Sequence, residues 1–196
     1  MPKSIITFAI LWIATVLILP AQDHQKFYNK SLMINKSGMY FLGGWAVANM
    51  TTGVYGWLND HGERKYFHQM NAAWNVVNAG IATYAAWEAF HTDIKSLSND
   101  EIMRKHIRTE NIYLFNAGLD VLYVAGGFWL IHASQNNEKH HDLLKGYGQS
   151  VILQGAFLFV FDLVKFGLQY NHRLKFNSAS ANVRFSAEGI SFVYAF

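Results

Sequence analysis

The chain has 196 residues, of which 52% are hydrophobic and 15% charged, and it contains no cysteine. This length suits one domain, and the lack of cysteine excludes disulfides, thiol chemistry and a lipid-anchored cysteine. The formal net charge of +3 is small and scattered along the chain. It does not supply the basic face or stripe that nucleic-acid binding needs, so no nucleic-acid partner is expected.

Residues 1–22 have the layout of a secretory signal peptide. Lys3 precedes an apolar core from Ile5 to Leu19, and Pro20, Ala21 and Gln22 then lead into a polar sequence that begins at Asp23. Cleavage near Gln22 would leave a mature chain that starts at about Asp23. The alternative is an uncleaved first membrane helix, for which the apolar core is somewhat short.

Four later segments are each long enough to span a bilayer. Charged residues cluster in the connections between them. Because short connections place consecutive helices side by side and antiparallel, the predicted fold class is all-α, a four-helix transmembrane bundle over residues 23–172. The predicted spans are Gly38–Trp57, Met70–Phe90, Asn111–His132 and Val151–Tyr170.

Each predicted span carries a stripe of polar or small residues at helical spacing. Membrane helices pack through such residues and turn bulky apolar side chains outward, so the stripes are expected to face one another. Trp74 and Tyr84 of the second span, and Phe157, Phe161, Val164 and Leu168 of the fourth, are expected on the outside. The predicted polar membrane core consists of Asn49, Asn75, Asn78, Asn116, Asp120, Asp162 and Lys165.

The period of the sequence changes from helical to alternating in the tail, residues 173–196. Val183 and Phe185 alternate with polar residues, Glu188 and Gly189 supply a turn, and a second alternating run ends the chain. This pattern predicts a C-terminal β-hairpin. An isolated hairpin is marginally stable in water, so we expect it to pair with a partner. The residues expected to bind that partner are Ile190, Phe192, Tyr194 and Phe196.

The distribution of Lys and Arg bears on which membrane holds the protein. Basic residues are more numerous on the side of the mature amino terminus, which export would place outside, against the rule for inner-membrane proteins. A central Asp or Lys also costs roughly 2.5 to 3.5 kcal/mol on insertion. The prediction is therefore an integral membrane protein of the bacterial cell envelope, with the outer membrane favoured over the inner.

Two resemblances accompany these patterns. The terminal alternation from Ile190 to Phe196 resembles the closing strand of outer-membrane barrel proteins, although the remaining chain lacks a barrel's repeated alternating segments. The ending Pro20-Ala21-Gln22, with the MNxxWNxxN run at Met70–Asn78, resembles an uncharacterised family of small Bacteroidota multi-helix membrane proteins. That resemblance covers most of the mature chain and implies no activity and no site residues.

Asp120 and Asp162 are the strongest candidates for chemistry. They fall at similar depth in their spans, and Lys165 lies three residues after Asp162, close enough to pair with it on one face. Ionisable groups inside a membrane are functional candidates, whereas the alternative is a neutralised polar knot that fixes helix register. The histidines fall at helix ends and in loops, and no phosphate loop, HExxH or nucleophile elbow occurs, so neither a metal nor a cofactor is predicted.

The resulting functional prediction is a non-enzymatic integral membrane subunit of an outer-membrane protein complex, with the C-terminal hairpin docking on a partner. Its expected partners are the lipid bilayer and other envelope membrane proteins, with a β-barrel as one candidate. The alternative is a proton-coupled transporter or membrane enzyme that uses the Asp120, Asp162 and Lys165 cluster.

Overall fold

Four long helices make up almost all of the ordered structure. The computed structural model describes the backbone of residues 3–179, 183–186 and 189–192, and the side chains of residues 24–178. Short 3₁₀ turns at Ile94–Ser96 and Glu138–His140 lie in the second and third connections. The helices are α1 (Lys3–Asn59), α2 (Gly62–His91), α3 (Asn99–Ser134) and α4 (His141–Ala179), and two strands follow, β1 (Val183–Ser186) and β2 (Gly189–Phe192).

The predicted all-α class is confirmed for the described part of the chain up to Ala179, and each helix is longer than its predicted span. The backbone of α1 continues without a break across the predicted signal boundary at residue 22, and cleavage there stays a prediction. α4 continues to Ala179, into the tail predicted to begin at residue 173, because no Pro or Gly interrupts the sequence there. β1 and β2 pair antiparallel, with Val183 opposite Phe192.

Local sequence explains where α2 and α3 begin. Gly62 has a φ of 60°, a left-handed conformation that glycine adopts without a steric penalty, and it closes the tight turn after α1. Ser98 caps α3 through a reciprocal pair of hydrogen bonds with Glu101. The charged segment after Ser98, which was expected in the connection before the third span, is instead the first part of the continuous α3.

Helix packing follows sequence order only in part. α1 packs along α2, and α3 packs along α4, as expected for consecutive helices joined by short connections. The α1–α2 pair meets the α3–α4 pair mainly through α2 and α4. The contacts of α1 with α3 and α4 are less extensive. α2 and α3, although consecutive, are barely in contact, so the expectation that they are neighbours is wrong. A gap therefore remains between them.

The bundle buries many polar side chains beside two apolar core clusters, and it exposes large apolar side chains on its outer surface. Asn75, Gln154 and Gln169 are fully buried, whereas Leu58 and Phe115 are 76% and 68% exposed. By length and composition, two helices in the described part of the chain can cross a membrane, within Asn99–Ser134 and Glu138–Ser178. The prediction was four such helices. The inward-facing asparagines of α2 lower its mean hydropathy without facing lipid, so its composition understates the apolarity of its outer surface.

The close approach of α3 and α4 at Gly127 gives a direct test of this packing. A Cβ on Gly127 would lie 2.7 Å from the carbonyl oxygen of Gly148, which is too close for any real Cβ contact. We expect Gly127→Ala to push the helices apart and to lower the free energy of unfolding by about 1 to 3 kcal/mol.

The matched control for this variant is Gly118→Ala in the same helix, where nothing lies within 4 Å of the added methyl group. It should stabilise the helix by roughly 0.5 to 1 kcal/mol. Denaturation of the detergent-solubilised protein with SDS, followed by circular dichroism, measures both changes. Equal shifts in the two variants would show that α3 and α4 do not meet at Gly127.

Candidate functional site

An amide ladder ties α1, α2 and α4 together. Asn71 Nδ2 donates to Asn49 Oδ1 at 3.1 Å, and Asn75 and Asn78 continue the chain of hydrogen bonds along α2. Gln154 of α4 donates to Asn71 Oδ1 at 2.5 Å and accepts from the indole of Trp45 at 3.1 Å. Most of these amides are engaged with one another, so this part of the predicted polar core fixes helix register.

Gln154 was not among the predicted core residues, although its spacing contains the signal. It precedes Leu158 and Asp162 at successive intervals of four residues, which places all three on one face of α4. The other predicted core positions are also turned inward. Asn75, Asn78, Asp120, Asp162 and Lys165 are buried, while Asn49 and Asn116 are half-buried.

The two buried acids meet across the interface of α3 and α4. Asp120 is 2% exposed and Asp162 is 5% exposed, and their carboxyl groups approach each other closely enough to interact. An ionised carboxylate can only accept hydrogen bonds. A hydrogen bond between the two would require a proton on one of them, so we expect the pair to hold one proton and one negative charge.

Lys165 does not pair with Asp162 as its spacing suggested. No ion pair within 4 Å joins these two described residues; the Lys165 ammonium donates instead to the backbone carbonyl of Ile34 on α1. Gly38 makes this possible, because a Cβ there would lie 2.8 Å from Cδ of Lys165. The long side chain crosses to α1 through the space that the glycine leaves. Its ammonium group lies 5.7 Å from the centre of the Tyr113 ring on α3.

A cavity of about 300 Å³ adjoins the acid pair. Asp120 and Asp162 line it together with the amides Asn78 and Asn116. Asp120 Oδ2 is buried and has no hydrogen-bond partner among the described residues. An unpaired buried carboxylate oxygen is costly, so the structure favours a proton or another positive charge beside Asp120.

Aromatic side chains form much of the cavity wall. Trp74, Tyr113, Tyr123 and Phe161 all line it, and Trp74 meets Tyr123 edge to face with ring centroids 4.9 Å apart. The prediction that Trp74 and Phe161 face outward is wrong, since Trp74 is half-buried and Phe161 is 8% exposed. The gap between α2 and α3, next to the small inward-facing Ala82, leaves room for these rings.

The cavity extends from the acid pair toward the charged ends of α2 and α3. Glu88, which is exposed, and Thr109 line this outer part, and Val77 and Ile81 form an exposed rim on α2. Burial, and secondarily the negative charge of Glu88, raises the pKa of the Tyr28 phenol in the neighbouring small cavity. Glu88 thus gives the outer end of the cavity a negative potential.

A second buried cluster, which the sequence analysis missed, joins α1, α3 and α4. His106 is fully buried, and its Nδ1 lies 2.9 Å from Ser31 Oγ. Its Nε2 lies 2.9 Å from Glu110 Oε1, but these two atoms are not aligned for a hydrogen bond. Arg173 Nε lies 3.0 and 3.1 Å from the two Glu110 carboxylate oxygens. His106 and Glu110 are four residues apart on α3, and Gln169 and Arg173 are four apart on α4, which is the signal that could have identified them.

Ser31, His106 and Glu110 are residue types found in hydrolytic triads, but their setting is structural. Ser31 is 1% exposed, and its hydroxyl donates to Gln169 Oε1 at 3.0 Å rather than being free to attack a substrate. A triad needs a serine that a substrate can reach. The cluster instead anchors the end of the bundle opposite the amide ladder.

Two further predictions concern metals and the tail. Among the residues with described side chains, no group of three or more His, Cys, Asp or Glu residues could hold a metal ion. Ile190 and Phe192 fall in β2, but their side chains, and all of Tyr194 and Phe196, lie outside the described residues. Partner binding by these four residues stays a prediction.

Comparison with known proteins gives a family and no activity. Residues 41–163 match the family model described as "Family of unknown function (DUF6992)", and the chain belongs to that family. Its predicted membership of an uncharacterised family is thereby confirmed, whereas its Bacteroidota origin stays a prediction. No curated protein and no solved structure matches the chain.

Proposed function

We propose that this DUF6992 chain is an integral membrane protein in which a proton and a small ligand compete for the Asp120–Asp162 pair, as in a proton-coupled transporter. The observation that carries the proposal is that two buried carboxyl groups on facing helices line the same cavity. Such a pair must hold a proton to remain together. A positively charged ligand beside Asp120 or Asp162 would neutralise the pair in place of that proton.

Membrane insertion is supported by the inverted distribution of polarity. A soluble bundle buries its apolar stripe, whereas here large apolar side chains such as Tyr55 and Trp129 are 72% and 67% exposed. Two apolar helices of spanning length support the same conclusion. We retain the bacterial envelope as the proposed location, on the basis of the signal-like residues 1–22. Proton-coupled transport requires the inner membrane, because the porous outer membrane maintains no proton gradient.

Charge balance explains why proton and ligand would compete. Lys165 supplies one buried positive charge, which is held on the Ile34 carbonyl and offsets one of the two carboxylates through space rather than in an ion pair. The second negative charge is neutralised by the shared proton when the cavity is empty. A net charge is costly in an environment of low dielectric constant. The site therefore favours one positive charge in addition to Lys165, which is either the shared proton or a bound cation. Occupancy by a cation would therefore release the proton.

Infrared spectroscopy of the full chain in nonionic detergent tests the shared proton without any ligand. The wild type should show a protonated carboxyl C=O band at neutral pH that shifts in heavy water, and Asp162→Asn should lack it. Asp100→Asn, which changes an exposed acid at the start of α3, should retain the band. A wild-type spectrum with no such band would contradict the proposal, because both acids would then be ionised.

The role of complex subunit, with hairpin docking as its mechanism, stays a second proposal for the same protein. It rests on the alternating tail sequence and on the pairing of β1 with β2. A two-stranded sheet has two open edges that another strand could join. This role concerns the tail and is compatible with ligand exchange in the bundle.

A further inference from the structure

The charge of the cavity lining selects the sign of its ligand. Three acids line it, Glu88 at the outer part and Asp120 and Asp162 at the inner end, and the lining contains no Lys, Arg or His. An anion would meet repulsion along the whole path. A cation would be attracted at Glu88 and, farther in, by Asp120 and Asp162, and Asp120 also holds a buried oxygen, Oδ2, that has no partner among the described residues.

The walls select against a small inorganic cation. Calcium takes six to eight oxygen ligands and magnesium requires a near-octahedral set, whereas the inner end of this cavity offers two carboxyl groups and a few amides beside aromatic and aliphatic side chains. Apolar walls cannot replace the hydration shell of a small metal ion. An organic ammonium ion is larger and more weakly hydrated, so it loses less on entering.

Aromatic faces supply the complementary interaction. The quadrupole of an aromatic ring attracts cations that lie over its face, and Trp is the strongest of the natural side chains in this respect. Trp74 and Tyr123 form one edge-to-face pair in the wall, and Tyr113 and Phe161 form another with centroids 6.5 Å apart. Acidic groups together with aromatic walls are the combination that binds quaternary and protonated amines.

We propose that the cavity binds a monovalent organic ammonium ion with an apolar body, its charged group beside Asp120 and Asp162 and its body against Trp74 and Tyr123. This inference rests on the proposed proton exchange and names the class of ligand. The exchange balances: the protonated pair and one ammonium ion become the doubly ionised pair with its bound ammonium ion, and one proton is released to water. No covalent bond other than that O–H bond changes.

Calorimetric titration of the full chain in nonionic detergent with benzyltrimethylammonium tests the inference. Repeating the titration in two buffers of different ionisation enthalpy counts the protons that are released. We expect saturable binding with release of about one proton per cation. Neopentylbenzene, the neutral molecule of the same shape, should not bind measurably, and potassium chloride should not displace the probe at equal concentration.

Variants separate the two contributions to binding. Asp162→Asn should abolish proton release and weaken binding by about 100-fold or more, because an amide carries no charge to attract the cation. Trp74→Leu should weaken binding about 5- to 30-fold, and Trp74→Phe should weaken it less, since a ring is retained. Trp87→Leu is the matched control, because Trp87 is exposed and does not line the cavity.

The outcomes distinguish this inference from the function on which it rests. Equal binding of neopentylbenzene, unchanged affinity in a folded Trp74→Leu protein, or no binding of the probe would overturn the ammonium inference. If the infrared band of the shared proton persists in that case, the proton-binding pair stands and only the ligand class is wrong. If the band is absent from the wild type, both proposals fall together.

Discussion

Asp162→Asn is expected to remove a large pH dependence from the stability of this protein. In the wild type, the folded pair keeps a proton that the unfolded chain loses above about pH 4, where free Asp titrates. The folded state then binds one more proton than the unfolded state. The free energy of unfolding should therefore fall by about 1.4 kcal/mol for each pH unit that the pH rises, or about 3 kcal/mol between pH 5 and pH 7.

The asparagine variant should lack this dependence because its amide can donate to the remaining carboxylate of Asp120 without any added proton. With Lys165 still present, the charges of Asp120 and Lys165 balance in the variant. We therefore expect Asp162→Asn to be no more stable than the wild type near pH 5. Above pH 7 the variant should be the more stable of the two. SDS titration at several pH values, followed by circular dichroism, measures the two slopes.

The comparison of slopes isolates the acid pair, because all other titrating groups are the same in both proteins. Asp100→Asn supplies the control for removing an acid from an exposed position and should keep the wild-type slope. Parallel slopes for the wild type and Asp162→Asn would show that the pair holds no proton. Asp162→Leu should be destabilised at every pH, since it leaves Asp120 buried without a donor.

Arg173→Met should be the most destabilising single change outside the acid pair. Glu110 is 2% exposed and receives Arg173 Nε at 3.0 and 3.1 Å, so removing the guanidinium leaves a buried carboxylate without its main partner. Breaking a buried ion pair costs about 3 to 5 kcal/mol. Because the Arg173 side chain is itself 23% exposed, we expect about 2 to 4 kcal/mol here.

A double-mutant cycle gives the coupling between the two residues. Adding Glu110→Gln to Arg173→Met removes the stranded charge and should recover a large part of the loss, with a coupling energy of about 1 to 3 kcal/mol. Arg108→Met on the exposed side of α3 is the matched control and should change stability by less than about 0.5 kcal/mol. Additive effects of the two substitutions would mean that Arg173 does not neutralise Glu110.

The sequence by itself determined the helices and the side of each helix that faces inward. Periodicity is a property of one helix, so the spacing of Asn71, Asn75 and Asn78 fixes their common face before any neighbour is known. The same holds for Asp162 and Lys165 on α4, both of which the structure buries. What a shared face does not determine is how far a side chain reaches or which neighbouring helix it meets.

Only the tertiary structure decided which polar groups are partners. Lys165 reaches across Gly38 to the carbonyl of Ile34, and this leaves Asp162 to pair with Asp120. α2 packs on α4 rather than on α3, which opens the cavity and turns Trp74 into its wall. Both outcomes depend on the distances between helices, which side-chain volumes at remote positions set together. Residue spacing therefore predicts a polar core, whereas the packing of the helices decides that this core contains a cavity lined by acidic and aromatic side chains.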